Sequence, residues 1–356
     1  YAAEMAESMP ELDGLMGVGH YEDIGSLIKE QLGLKLDKIA FANNVYLERD
    51  YSALGATAYL KIAEGCDNNC SFCLIPQLRG PYKSRTIEDI IEEAEALYQQ
   101  GIKEIILLAQ NTTYYGIDLY GKCQLPLLLQ KLADIPFAMI RLLYAYPEGI
   151  DDELIQVMKN NSNICHYLDM PIQHSENRIL QRMGRRTSRE DLVAVIKKLR
   201  KEIPDITIRT TLITGFPGES QEDHEGLMNF VEECQFDRLG VFTYSPEEDT
   251  LAATFEDQID EEVKEERRDE LMSLQQEISY EHTQQLVGKT IKVMVEGYLF
   301  EDDIYVGRSY MDAPKVDGCV FINSPEELMT GDFVYVKITQ GREYDVIGEV
   351  DYEFTK

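Results

Sequence analysis

Residues Cys66-Asp-Asn-Asn-Cys70-Ser-Phe-Cys73 set three cysteines in a C-x3-C-x2-C array directly after the strand-like run Ala58-Tyr-Leu-Lys-Ile-Ala. Three thiolates on one tight loop suit three irons of a 4Fe–4S cube, leaving the fourth iron open to a small molecule. An open iron makes such a loop a reaction centre instead of an electron store. The competing reading is a structural zinc knuckle, which needs four closed ligands in a tetrahedron. No fourth ligand is close by: the next cysteine is Cys123, and the nearest histidines are His20 and His166. A disulfide framework fits less well. The chain is long, its seven cysteines are an odd number, and the other four are scattered through apolar or helical contexts.

With this spacing the loop reads as a radical S-adenosylmethionine (SAM) site, and the surrounding pattern fits. From Tyr59 onward, short apolar runs alternate with amphipathic segments, as in repeated βα units. Strands are expected at Ala58–Ala63, Glu104–Ala109, Met139–Tyr144, Tyr167–Pro171, Thr207–Ile213 and Leu239–Tyr244. Helices are expected at Ile87–Gln100, Leu125–Leu132, Asp152–Lys159, Arg189–Lys201 and Glu222–Cys234, with Thr86, Asp151 and Ser188 as N-caps. Six units are too few for a closed eight-stranded barrel, so an α/β fold built on an open, partial βα barrel is expected. Chemistry in such folds gathers at the C-terminal strand ends. The cysteine loop, Gln110-Asn111, Tyr146-Pro147, Gln173-His174 and Gly215-Phe-Pro-Gly218 all fall there.

Residues Glu256–Leu286 carry an irregular apolar stripe and read as one charged helix leading out of the barrel. After Gly288 the texture changes to short alternating runs at Ile291–Glu296, Ile304–Ser309, Cys319–Ile322, Phe333–Thr339 and Tyr344–Val350. They suggest a small OB-like β-barrel. The expected organisation is a leading segment 1–55, a partial barrel 56–285 and a small barrel 286–356. Tyr1 is not an initiator methionine and the opening reads as mid-helix, so further residues are expected upstream. Gly14-Leu-Met-Gly-Val-Gly19 lacks the strand–turn–helix context of a dinucleotide fingerprint. It is read as the exit strand of an upstream domain, followed by a linker.

No apolar run approaches a membrane span and no signal peptide is visible, and an oxygen-sensitive cluster with reduced thiols fits a cytoplasmic protein. The net charge of −31 disfavours general binding to a phosphate backbone and favours a strongly basic partner, although acidity also simply promotes solubility. Residues 286–356 hold seven Lys and Arg against fourteen Asp and Glu, a net −7.

Ile62-Ala-Glu-Gly-Cys66-Asp-Asn-Asn-Cys70-Ser-Phe-Cys73-Leu-Ile-Pro76, with Arg79-Gly80 and Ser84-Arg85, resembles the radical-SAM methylthiotransferases. So do Gln110-Asn111-Thr-Thr-Tyr-Tyr-Gly, Pro171-Ile-Gln-His, Ile179-Leu-Gln-Arg-Met-Gly-Arg185 and Thr214-Gly-Phe-Pro-Gly-Glu219. The small barrel resembles a TRAM domain. Tyr305-Val-Gly-Arg-Ser-Tyr-Met-Asp-Ala-Pro314-Lys-Val-Asp-Gly318 and His174 resemble the branch that modifies a ribosomal protein. That branch adds a methylthio group to the β-carbon of an aspartate in small-subunit ribosomal protein number twelve, a very basic protein. The tRNA-modifying branch is the alternative, but its terminal barrels tend to be more basic. A non-enzymatic metal scaffold would need a closed cysteine site.

The resemblance implies a cluster on Cys66, Cys70 and Cys73, SAM chelating its open iron, and a 5′-deoxyadenosyl radical that takes hydrogen from the substrate carbon. It also implies electron and sulfur donor proteins, and a second 4Fe–4S cluster held only by a domain upstream of this sequence. Without that domain, SAM cleavage is expected but not sulfur insertion. Candidate SAM contacts are Phe72, Gln110, Asn111, Gln173, Arg209, Thr211 and Gly215; candidate catalytic or substrate contacts are Arg79, Arg85 and His174. Each has a structural alternative. Phe72 could be a plain loop aromatic, Gln110 and Asn111 loop caps, and His174 a hydrogen-bonded core residue. Arg209 could be a buried ion pair, Gly215 a tight turn, and Arg85 a partner of helix-start acids such as Glu88.

Overall fold

Six parallel strands organise the larger part of the chain. The computed structural model describes residues 2–16, 24–32 and 55–353. Their sheet runs β1 (Thr57–Lys61), β4 (Glu104–Leu108), β5 (Met139–Leu142), β6 (Ile164–Asp169), β7 (Thr207–Thr214) and β8 (Arg238–Thr243), with β1 and β8 as edges. A short ribbon, β2 (Ala63–Glu64) and β3 (Lys83–Ser84), sits beside β1. The helices are α1 (Ala2–Ser8), α2 (Ile24–Leu32), α3 (Ile75–Arg79), α4 (Ile87–Gln99), α5 (Ile117–Tyr120) and α6 (Leu125–Ala133). They continue as α7 (Asp152–Asn160), α8 (Asn177–Arg182), α9 (Arg189–Glu202), α10 (Gln221–Cys234) and α11 (Glu261–Gln284).

The expected caps are made. Thr86 accepts from the Asp89 amide, Asp151 from Leu154, and Ser188 forms a reciprocal capping box with Asp191. Alternation sends Leu60, Ile105, Leu107, Ile140, Leu168, Ile208 and Leu212 outward into the helix layer, where they join one continuous core. The other face looks into the open barrel and is polar at its base. The expected Glu256–Leu286 helix begins only at Glu261, because the preceding segment is held extended. The Asp257 carbonyl accepts from Gly218, and the Asp257 carboxylate pairs with Arg182. Helix α8 was not expected. Of the expected exit strand, Gly14–Met16 form no strand and residues 17–19 lie outside the described residues.

Strands β9 (Thr290–Leu299), β10 (Ile304–Arg308), β11 (Val320–Asn323), β12 (Phe333–Gly341) and β13 (Val346–Val350) close into a second barrel in the order β10-β11-β13-β12-β9. Its own core includes Val293, Val295, Ile322, Val336 and Ile338. The end of β10 and the segment after it close the bottom of the larger barrel with charge. Glu104 pairs with Arg141 at 2.9 Å and with Arg308 at 2.6 Å, all three fully buried. Arg238 pairs with Asp312 at 2.8 Å, and Tyr167 donates its hydroxyl to Asp317 at 2.7 Å.

Candidate active site

The cysteine loop hangs from the C-terminal end of β1 and is tied at both ends. The β2–β3 ribbon clips its base, and the Cys66 amide donates to the Gly80 carbonyl at 3.1 Å. Gly65 has φ +83°, and a Cβ there would lie 2.2 Å from the Pro81 oxygen, so only glycine fits. At the far side the Ser71 amide and hydroxyl donate to the Met183 and Arg182 carbonyls at the end of α8. Gly184, φ +74°, lets that turn approach so closely that a Cβ would meet the Asn69 oxygen at 2.5 Å. The loop is therefore shaped by a helix from the fourth βα unit.

All three cysteines are free thiols, Cys66 buried and Cys70 and Cys73 half-buried. Among the described residues, no group of three or more His, Cys, Asp and Glu converges on a single-ion site. A cube asks for no such convergence, since each thiolate takes a different iron. Arg185 brings a positive charge to the loop. One guanidinium nitrogen is 3.9 Å from the Cys70 sulfur, another donates to the Pro171 carbonyl at 2.9 Å, and the group stacks on Tyr146 at 4.4 Å. The sequence reading assigned no role to Arg185 or Tyr146. The glycine before Arg185 was a visible sign of close approach, but which loop it approaches is a tertiary fact.

Several candidate residues meet at this mouth. Gln110 donates to Glu64 at 3.1 Å, and Arg79 lies 3.6 Å from the same carboxylate oxygen. Asn111 is buried, its carbonyl held by the Tyr82 hydroxyl at 2.7 Å. Phe72 packs edge-on against Phe216, whose ring also meets Tyr244 and Phe255. Gln173 has φ +76° and bridges to β7, its amide on the Thr211 carbonyl at 2.9 Å.

Others are occupied elsewhere. Arg85 is buried against Asp89 and Glu93 on α4, 2.6 and 2.5 Å away, and donates to the Lys61 carbonyl. His174 is fully buried 3.5 Å from Glu219, which also pairs with Arg267 at 2.9 Å. Burial pulls the Glu219 carboxyl upward, but His174 and Arg267 outweigh it and hold it below the usual range. Gly215, φ +68°, accommodates Lys264, whose Cγ would be 2.2 Å from a Cβ there. Arg209 pairs with Asp169 at 2.7 Å and Asp317 at 3.4 Å, and touches the Thr211 hydroxyl at 3.4 Å.

Residues 60–231 match the model of the Radical SAM superfamily, and residues 287–350 match that of the TRAM domain. A Lachnoclostridium phytofermentans protein named ribosomal protein uS12 methylthiotransferase RimO is 51% identical over 356 residues, covering 99% of this chain and 81% of that one. The chain belongs to the RimO family of methylthiotransferases. Proteins of the same name from Clostridioides difficile and Desulfitobacterium hafniense are 49% and 47% identical, covering 99% and 98% of this chain and 80% of each relative. Among solved structures, Streptococcus suis SuiB bound to S-adenosylmethionine is a distant likeness, with TM-score 0.45 and 16% identity, covering 80% of this chain and 58% of that one.

A RimO-type chain calls for a 4Fe–4S cube and SAM, and the residues present fit both. The three thiols are uncommitted to disulfides. Beside them Gln110 Oε1, Asn111 Nδ2 and Arg185 Nε are buried without a hydrogen-bond partner, an arrangement that costs free energy unless a bound group supplies one. Burial pushes the Cys66 and Cys73 thiols up, so metal binding at this loop must displace protons.

Proposed function

We propose that the protein carrying this chain adds a methylthio group to the β-carbon of an aspartate in ribosomal protein uS12, with residues 56–285 as the reaction unit and 286–356 as a docking unit. The observation that carries the reading is the clamped loop of Cys66, Cys70 and Cys73 beside Arg185, in a chain whose relatives carry the uS12 name. The acidic second barrel supports a basic protein partner over RNA.

Cys66, Cys70 and Cys73 hold the cluster, which with SAM supplies the one-electron chemistry that an unactivated C–H bond demands. Arg185 neutralises charge at Cys70 and fixes that side of the loop. Gln110 and Asn111 offer their unspent polar atoms to SAM, with Gln173 and Thr211 on the opposite wall and Phe72 shielding the loop from water. Arg79 sets the charge of the mouth through Glu64. His174, Gly215 and Arg85 act by bracing the strands that carry these groups. The remaining four cysteines are dispersed, so a second, sulfur-handling cluster would be held by residues outside this sequence. Electron and sulfur donor proteins and a cytoplasmic setting complete the reading.

The test compares intact masses of all small-subunit ribosomal proteins in cells with and without the full-length gene. A methylthio adduct on a uS12 aspartate that vanishes with the gene is the expected result. Unchanged ribosomal masses with loss of a methylthio-nucleoside from tRNA would keep the chemistry and overturn the substrate.

A further inference from the structure

Strand β8 is an edge, bonded only to β7. Its register aligns Arg238 with Arg209, Gly240 with Thr211 and Phe242 with Ile213, so these residues share the inner face. Phe242 is 61% exposed there, apolar surface that a bound group would profitably cover. Gly240 is required neither by strain nor by crowding: its φ is ordinary, and a Cβ would sit 3.8 Å from the Phe242 ring and 3.9 Å from Arg209 Nη2. What glycine leaves here is space between a phenyl ring and a guanidinium. Arg209 Nη1 serves Asp169 and Thr211 and its Nε faces Asp317, which leaves Nη2 toward that space.

The space continues into a crevice of about 320 Å³ between β8, α11 and the second barrel, whose lining includes the cations Arg209 and Arg238, the acids Asp317 and Asp345, Gly240 and Tyr344. It therefore joins the inner wall of the reaction barrel to a module of net charge −7. We infer that this crevice admits the target-bearing segment of the protein substrate, and that Gly240, Phe242 and Arg209 select its aspartate. The inference rests on the methylthiotransferase reading above. An aspartate side chain is one methylene and one carboxylate, which match a phenyl ring beside a guanidinium nitrogen. A basic chain resting on the acidic barrel reaches the site by this route. The unpartnered polar atoms of Gln110, Asn111 and Arg185 lie instead beside the cysteine loop, so cofactor and substrate occupy different walls.

The test uses the full-length protein and two variants, Gly240→Val, which fills the space with a residue suited to a strand, and Phe242→Ala. Binding of purified uS12 to the metal-free protein is measured by calorimetry, and SAM affinity on the reconstituted protein. The expected result is a uS12 Kd raised at least tenfold in both variants, with thermal midpoint held and SAM Kd within twofold of wild type. Unchanged uS12 affinity in both variants overturns the inference, as does loss of SAM affinity with uS12 binding retained. Failure of the wild-type protein to bind uS12 overturns the function reading itself, which separates the two.

Discussion

At the scale of single residues, what a side chain can do is set by the partners it already has. Arg185 and Arg209 are both arginines on the barrel interior, yet Arg185 faces a cysteine sulfur while Arg209 sits between two carboxylates. Arg185→Met keeps the stem and removes the charge beside Cys70. A hydrogen bond to a charged group contributes about 1.5–3 kcal/mol, so SAM cleavage by the reconstituted protein should fall about 10- to 100-fold with iron content retained. Arg185→Lys should recover only part of this, because lysine has neither the fork that reaches Pro171 nor the plane that stacks on Tyr146. Measuring 5′-deoxyadenosine formation and iron together checks both outcomes. If Arg185→Met loses its iron instead, the residue's role is in assembling the loop.

At the scale of elements, local rules were legible and long-range ones were not. The six strands of the larger barrel and five of the smaller, the caps at Thr86, Asp151 and Ser188, and the cysteine spacing follow from neighbours in sequence and are seen, whereas the exit strand expected from Gly14 is not formed over Gly14–Met16. The meeting of the cysteine loop with the α8 turn does not, since its contacts span more than a hundred residues. Sequence offered Arg85 a helix-start acid, and Asp89 beside Glu88 is one, but it could not say that Glu93 would join it or that Gly215 makes room for Lys264. Gly184→Ala tests the loop–turn contact. A side chain at φ +74° pressing the Asn69 carbonyl costs about 1–3 kcal/mol of strain. That strain falls on the cluster loop, so iron incorporation should drop well below wild type while the thermal midpoint moves by only a few degrees. Full iron loading in this variant would show that the loop does not need the α8 turn.

At the scale of the whole molecule, the two barrels are joined through buried charge. Glu104 at the foot of β4 holds Arg141 from its own sheet and Arg308 from the second barrel, and Arg141 also donates to the Ser309 and Tyr310 carbonyls. Burial pulls the Glu104 carboxyl upward, but the two guanidinium groups more than offset it and hold it below the usual carboxylate range. A carboxyl depressed in the folded state contributes stability above its unfolded pKa of about 4.3, and loses it as pH falls toward the folded value. Acid should therefore loosen the inter-barrel contact from about pH 4 downward. Glu104→Gln strands the buried Arg141 at neutral pH and leaves Arg308 with Glu296 alone, a loss of about 3–5 kcal/mol. Because Arg308 belongs to the second barrel and Arg141 to the first, that loss should fall on the joint between them. Calorimetry of this variant should show two resolved transitions, with the acid dependence of the earlier one flattened. A single transition with wild-type acid sensitivity would mean that the barrels are held together by apolar contact, and that the ion pairs only set their register.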